Sequence, residues 1–295
     1  GAMRALAMRV AHLPNVVGFD TLNEPGLGWI GQSLSKRELN QQTDLYGNVI
    51  QAALNLGARS HGNWSGCHSV FFDAGADDFG NIAILNQQKN YFTLGIVVNR
   101  DGRRFFDEGS DFRNYTYSKM GAAILSQPGG TGWQVFDAQG AALLPDEYRV
   151  PRAARFEADT LEGLAAKMEG ISRAQFLSTV AEFNRSINAD VPFNPAIKDG
   201  RGTQGLAIAK SNWARTISEP PFVAYQVNCG ITLTYGGLAI DADARVQNEE
   251  GEAIRGLYAA GELVGGLYYD RYPGGAGLTS GSVFGRIAGA NAASC

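Results

Sequence analysis

The spacing of apolar residues predicts amphipathic helices separated by short turns. Apolar side chains that recur every three to four residues lie on one helix face and can pack against a core. In the segment 172–188, Phe176, Val180 and Phe183 share such a face, and Ser172 suits the helix start. Gly57 suits the end of an earlier helix. The pattern predicts helices over 4–13, 45–56, 160–167, 172–188 and 282–293.

Short apolar runs bounded by turn residues predict β-strands between these helices. Asn99-Arg100-Asp101-Gly102 is typical of a hairpin turn, because glycine accepts the positive φ that such turns need. Residues 192–221 are rich in glycine and proline and predict an ordered loop. Helices and strands together indicate an α+β (mixed α/β) fold. The predicted strands are 15–22, 94–99, 104–108, 231–241 and 256–260.

Composition narrows the function classes without naming one. The chain has 295 residues, 44% hydrophobic and 18% charged, which is typical of a globular protein with a sizeable core. The net charge of −4 argues against a nucleic-acid partner. No apolar run reaches the ~18 residues of a membrane helix, so we expect no membrane insertion. The three scattered cysteines indicate neither a disulfide framework nor a metal site and favour a reducing cytoplasm.

The first 36 residues carry a motif of their own. The run 15–25 reads as a buried strand that ends in Asn23-Glu24-Pro25. This segment resembles the acid/base strand of family 5 glycoside hydrolases, in which Glu24 would be the acid/base residue. Glycoside hydrolysis needs a second carboxylate about 5–9 Å away, and no second motif of that family occurs here. We therefore interpret residues 1–36 as a leader, with a glycosidase fragment as a distant alternative.

Two glycine-containing runs near the end of the chain suit a bound cofactor. The run 256–262 predicts a buried strand that stops at a Gly-Glu turn, and 274–281 is a glycine-rich loop that opens a helix. A helix N-terminus offers unpaired amides and the positive end of its dipole to an electron-rich group. With the runs 62–68, 107–117 and 211–214, these residues resemble the FAD-dependent fumarate reductase and tricarballylate dehydrogenase flavoproteins.

The resemblance implies an incomplete FAD-binding domain with an inserted fumarate-reductase-type capping domain. Residues 37–68 would supply a helix and strand of the FAD domain, 69–218 the capping domain, and 219–295 the return of the FAD domain. The Gly-x-Gly-x-x-Gly turn that opens the family's FAD domain is absent from these residues. The resemblance also implies non-covalent FAD. Its contacts would come from Ala260, Gly261, Glu262, Gly277, Leu278 and Thr279.

The resemblance also assigns residues to the chemistry on a small carboxylic acid. Arg113 would move the proton, although the pKa of a guanidinium above about 12 makes it an awkward base. A relay of acidic groups would assist it, with Asp107, Glu108 and Asp111 as candidates. The alternative is a surface arginine paired with one of those acids.

Substrate carboxylates need cations or hydrogen-bond donors, and arginine is well suited to bind them at two points. Thr232 and Thr234 stand where fumarate reductases use a histidine, which favours an acid other than fumarate, such as tricarballylate. His61 is a weaker candidate. The cluster Tyr258, Tyr268, Tyr269 and Tyr272 is either an aromatic wall or packing. The predicted substrate-binding residues are His68, Arg104, Arg271, Thr232 and Thr234.

Two further interpretations remain open at the level of sequence. The chain could be a truncated, flavin-free capping-domain fragment or chimera without catalytic activity. It could instead associate with a second copy or a partner subunit, because uncovered sheet edges favour pairing. Retained flavin would separate an oxidoreductase from a fragment.

Overall fold

A computed structural model describes residues 45–75, 88–150 and 153–294. The chain divides into two compact units. One comprises Ser69–Gly230, and the other comprises the described residues up to His68 together with those from Ile231 onward. The predicted helix over 4–13, the strand over 15–22 and Glu24 lie outside the described residues.

The central sheet of the Ser69–Gly230 unit is antiparallel where its register is defined. Its strands are β1 (Ser60–Asp73), β2 (Ile96–Asn99), β3 (Thr131–Phe136), β4 (Arg155–Ala158) and β5 (Phe222–Leu238). Strand β3 pairs with β2, with Val98 opposite Trp133, and on its other side with β5. Strand β4 also pairs with β5, and β1 completes the order β1-β5-β3-β2. Parts of β1 and β5 belong to each unit.

This sheet is buried on both faces because successive side chains point to opposite sides. Ile96 and Val98 pack on one face into a core with Trp133 and with Phe176, whereas the intervening Val97 packs into a separate core on the other face. The predicted apolar face of the helix over 172–188 is confirmed, although the helix ends earlier. The helices of this unit are α2 (Arg113–Ala123), α3 (Ala138–Ala142), α4 (Leu161–Lys167) and α5 (Arg173–Arg185).

The predicted hairpin turn after β2 is present, but the partner strand over 104–108 is wrong. Gly102 has φ +74°, and its amide donates to the carbonyl of Asn99. Only an isolated bridge joins Val98 to Arg104. The Val97 amide donates to the Glu108 side chain at 2.9 Å. The side chain therefore occupies a donor of the β2 edge that a partner strand would use.

In its described residues, the other unit contains two α-helices and a small sheet. Its core joins Ile50 and Ala53 on the first helix to Leu238 and Val264. Gly57 follows that helix with φ +88°, as its predicted role as a helix terminator requires. The elements are α1 (Leu45–Asn55), β6 (Arg245–Gln247), β7 (Ala253–Tyr258) and α6 (Ala276–Ala292).

Three predicted boundaries in the last third of the chain need correction. The return strand is β5, which begins nine residues before Ile231, because its first half pairs with β3 and β4. The strand predicted over 256–260 is β7, which ends at Tyr258. The last helix begins at Ala276 rather than 282 and includes glycines that intrinsic propensity disfavours. Tertiary contacts override local preference in each case.

Within residues 45–75, 88–150 and 153–294, no helix has both the length and the apolar character that a membrane span requires. Residues 192–221 form no helix or strand, as predicted. Arg201 fixes this loop by donating to the carbonyls of Ala214 at 2.8 Å and Ala189 at 3.0 Å.

We predict that Gly102→Ala destabilises the Ser69–Gly230 unit by about 2–4 kcal/mol. A Cβ at Gly102 would lie 2.5 Å from the Phe176 nitrogen and 2.8 Å from the Ser172 carbonyl oxygen, and neither backbone atom can move freely. Gly170→Ala is the matched control, because Gly170 has φ +76° and nothing within 4 Å. Urea unfolding followed by circular dichroism compares them. Equal losses in the two variants would contradict the clash.

Candidate functional site

Arg113 is the first residue of α2 and is half-buried. Its guanidinium carbon lies 4.1 Å from the centroid of the Tyr91 ring, and Nη2 donates to the Tyr91 hydroxyl at 2.9 Å. No carboxylate among the described residues lies within ion-pair distance of Arg113. The alternative of a surface arginine paired with Asp111 or Glu108 therefore does not describe this structure.

The acidic residues predicted as a proton relay are engaged with other groups. Asp107 accepts from the Ser211 amide at 3.0 Å and from the Ser211 hydroxyl. Asp111 lies 3.3 Å from Lys198 Nζ in an exposed ion pair. Glu108 is fully buried and paired with Arg104. The structure thus joins none of these acids directly to Arg113, and their relay role stays a prediction.

Arg104, predicted to bind substrate, lies in a buried ion pair. Its Nε donates to Glu108 Oε1 at 3.0 Å, and its side chain is only 5% exposed. Burial lowers its pKa, but the neighbouring Glu108 carboxylate more than offsets this and holds the pKa above its usual value. The guanidinium also lies 5.3 Å from the Phe183 ring centroid. These contacts give Arg104 a structural role, and contact with a substrate stays a prediction.

His68 and Thr232, both predicted to bind substrate, form one buried cluster in the other unit. Thr232 Oγ1 lies 2.9 Å from His68 Nδ1 and donates to the His68 carbonyl at 3.1 Å. Because a hydroxyl has one proton, Nδ1 then donates to Oγ1 in the neutral ring. The Tyr272 ring stacks on His68 with centroids 4.1 Å apart. Thr232 is fully buried and so acts here by orienting His68.

Burial changes how His68 can bind an acid. Desolvation lowers the pKa of His68 from 6.5 to about 4, so the ring is neutral near pH 7. A neutral ring has one N–H donor and no charge, so a carboxylate gains an ion pair with His68 only if its binding raises the pKa of the ring.

Thr234, also predicted to bind substrate, contacts a residue predicted to bind flavin, and its contact with a substrate stays a prediction. Its amide donates to Glu262 Oε1 at 2.7 Å, and its hydroxyl donates to the same oxygen at 3.1 Å. Glu262 is buried at the Gly-Glu turn after β7, where Gly261 has φ +71°. Two donors on one oxygen fix the orientation of the carboxylate. Thr234 is therefore a positioning residue for Glu262.

The first turn of α6 brings the other predicted flavin residues close to this turn. Gly275 precedes the helix with φ +82°, and a Cβ on Gly281 would lie 3.7 Å from the Gly261 Cα. The Gly277 amide donates to the Tyr272 hydroxyl at 2.8 Å and the Thr279 amide donates to the Gly275 carbonyl at 3.2 Å, so two of the three predicted amides already have a protein partner. Leu278 and Thr279 are exposed on the same turn.

Arg271 lies in the loop before α6 and is exposed. The described residues include no ion-pair partner for it, so the alternative of pairing with Asp270 is not observed. A guanidinium without a carboxylate partner is available to an acidic ligand. Tyr91 was not predicted at Arg113, because no local motif marks it and it lies 22 residues before Arg113. Tyr272 belongs to the tyrosine cluster that was predicted to be either an aromatic wall or packing, and its ring stacks on His68.

These residues fit the ring end of a flavin. A buried carboxylate held at a glycine turn, beside a helix N-terminus whose first turn is exposed, suits a ligand with hydroxyl groups and an electron-rich edge. A Cβ on Gly281 would make an ordinary contact with Gly261, so the helix and the turn lie next to each other. The fold and these residues together define a flavin-binding class of protein.

Comparison with known proteins agrees with this class. The family described as FAD binding domain matches residues 46–278. A fumarate reductase (cytochrome) from Shewanella frigidimarina is 34% identical over 288 residues, which is 97% of this chain and 43% of that protein. The chain therefore belongs to the FAD-binding-domain family, and FAD is its family cofactor.

Two solved structures resemble the fold. The open conformation of a flavocytochrome c3 fumarate reductase has a TM-score of 0.61 and 28% identity, covering 84% of this chain and 40% of that one. A 3-ketosteroid delta1-dehydrogenase from Sterolibacterium denitrificans has the same TM-score and identity, covering 84% and 47%. The chain thus spans less than half the length of these relatives.

We predict that the ring protons of His68 titrate near pH 4 in NMR spectra. The pKa of His68 is lower in the folded than in the unfolded chain, so its contribution to stability is fully present above pH 6.5 and is lost as the pH falls towards 4. That loss amounts to about 3 kcal/mol, from 1.36 kcal/mol per pH unit. His68→Asn assigns the signal, and His61→Gln is the control because His61 is exposed. A His68 signal that titrates above pH 6 would contradict the prediction.

Proposed function

We propose that the chain acts as an FAD-dependent oxidoreductase on the C–C bond beside a carboxylate of a small di- or tricarboxylic acid. The observation that carries the proposal is Arg113, a half-buried arginine that has a fixed position but no carboxylate partner among the described residues. Membership of the FAD-binding-domain family supports the cofactor, and the named fumarate reductase supports the substrate class. Tricarballylate is the acid we favour.

The roles we propose follow from what each residue can hold or move. When bound, FAD supplies a two-electron acceptor or donor for hydride. Arg113 moves the proton at its Nη2 nitrogen. Arg271 binds a carboxylate through its planar guanidinium, and His68 contacts a second acidic group. Threonine at positions 232 and 234, in place of the histidine of fumarate reductases, favours an acid other than fumarate.

The FAD would be bound non-covalently, with Glu262 as a central contact. Glu262 is oriented by Thr234 and lies at the turn that approaches α6. The amides of the first turn of α6 would face the electron-rich edge of the ring. We further propose that Ser69–Gly230 corresponds to the capping domain and that the other unit holds the flavin residues.

We predict that Thr234→Val weakens FAD binding about tenfold, because it removes one of the two donors that orient Glu262 and a hydrogen bond to a charged group contributes about 1.5–3 kcal/mol. Thr234→Ser should restore the affinity. Glu262→Gln should weaken binding at least as much, whereas the exposed Glu249→Gln should not. Flavin fluorescence titration of the full chain measures the Kd. Equal Kd values for Thr234→Val and the unchanged protein would contradict the role of Thr234.

We predict that Arg113→Ala and Arg113→Lys lower kcat by about 100-fold or more, in the range of lost acid–base catalysis. Arg103→Lys is the control, since Arg103 is exposed on the neighbouring turn. The assay uses the flavin-loaded full chain with an artificial electron acceptor or donor and compares tricarballylate, succinate or fumarate, and a ring ketone. Activity on the ring ketone alone would mean that the substrate is a ketone, as the name of the 3-ketosteroid delta1-dehydrogenase indicates for that relative, and not a carboxylic acid. A chain that retains no flavin would contradict the proposed function itself.

A further inference from the structure

The group in contact with Arg113 is a phenol rather than a carboxylate. The three acids closest to it along the chain are each engaged by a different cation or hydroxyl, as described above. Tyr91 contacts Arg113 in two ways at once, through its ring face and through its hydroxyl. A cation–π contact and a hydrogen bond on one guanidinium restrict both its position and its rotation.

Hydrogen bonds to buried residues fix the backbone of Tyr91. Its amide donates to the Tyr148 hydroxyl at 2.8 Å, and that hydroxyl donates to Gln134 Oε1 at 2.7 Å. Gln134 in turn donates to the carbonyl of Lys89, two residues before Tyr91. Tyr148 and Gln134 are fully buried. This chain of hydrogen bonds fixes the Tyr91 backbone and leaves the phenol to interact with Arg113.

Two oppositely charged side chains, Lys89 and Asp73, lie next to this network. Lys89 and Asp73 form a fully buried pair with 3.4 Å between Nζ and Oδ2, and Nζ lies 5.2 Å from the Tyr148 ring centroid. Lys89 Nζ also donates to the carbonyl of Glu147 at 2.7 Å. Burial raises the pKa of Tyr148 well above its usual value, so its hydroxyl stays protonated. Among the described residues, Arg113 and Tyr148 contact Tyr91 directly, and Lys89 lies over the Tyr148 ring.

The helix that carries Arg113 adds a further effect. Arg113 is the first residue of α2, and the first turn of that helix contains no acidic residue. The first turn of its own helix therefore offers the guanidinium no carboxylate, and the Tyr91 hydroxyl is the group that contacts Nη2.

We propose that Tyr91 is the positioning residue and proton-exchange partner of Arg113, in place of an acidic relay. Tyr91 releases its phenolic proton to solvent and accepts the proton that Nη2 donates, which leaves a neutral guanidine able to accept a proton from the substrate. The reverse transfer restores both groups, and no electron moves in either step. The inference rests on the proposed function, because it requires Arg113 to transfer a proton to or from the substrate.

The test compares Tyr91→Phe and Tyr91→Leu with Tyr115→Phe in the flavin-loaded full chain. Tyr91→Phe keeps the ring under Arg113 and removes only the hydroxyl. We expect kcat to fall about 10- to 100-fold with little change in KM, and the pH profile of kcat to shift. Tyr91→Leu should also raise KM, because Arg113 loses both the aromatic ring and the hydroxyl that hold its guanidinium in position. Tyr115 is 78% exposed on the same helix, and its variant should match the unchanged protein.

A second measurement is independent of turnover. The Arg113 Nη–H signals, assigned with Arg113→Lys, should exchange slowly with water in the unchanged protein and faster in Tyr91→Phe. A Tyr91→Phe enzyme with unchanged kcat and pH profile would overturn the inference while the proposed function stands. A flavin-loaded protein that turns over no acid would overturn the proposed function and with it proton exchange by Tyr91. Unchanged exchange of the Arg113 signal would overturn the positioning contact in either case.

Discussion

The buried carboxylate of Glu108 determines the path of the chain that leads to Arg113. It accepts from the Val97 amide at the edge of β2 and pairs with Arg104, so one side chain joins a strand, a turn and the segment before α2. Removing one partner of such a buried pair typically costs about 3–5 kcal/mol, because the other charge is left uncompensated. The segment that leads to Arg113 is therefore anchored by a buried ion pair.

The two units use the same principle of support with different chemistry. In the Ser69–Gly230 unit a buried phenol and an amide fix Tyr91, which in turn holds a guanidinium. In the other unit a threonine fixes Glu262. In both units, a polar side chain from a distant segment supports the residue that would meet the ligand. Such support keeps a site within the narrow geometry that binding and catalysis need.

Local features of the fold could be predicted because their physical causes are local. The Gly102 turn follows from the need for positive φ, and the apolar face of α5 follows from helical periodicity. The strand over 104–108 was mispredicted because the Glu108 side chain accepts a hydrogen bond from the Val97 amide at the strand edge. The start of the last helix was mispredicted because long-range packing decides it. The resemblance to a flavoprotein family came from motifs and agrees with the family match.

The sequence by itself determined the mixed fold, the flavin family and the set of polar residues near its motifs, since each depends on short-range patterns of residue type. The tertiary structure alone decided which of those residues touch one another. It placed Tyr91 against Arg113 across 22 residues and Thr234 against Glu262 across 28. Sequence spacing carries little information about such contacts, because they are set by how strands and helices from distant segments pack together.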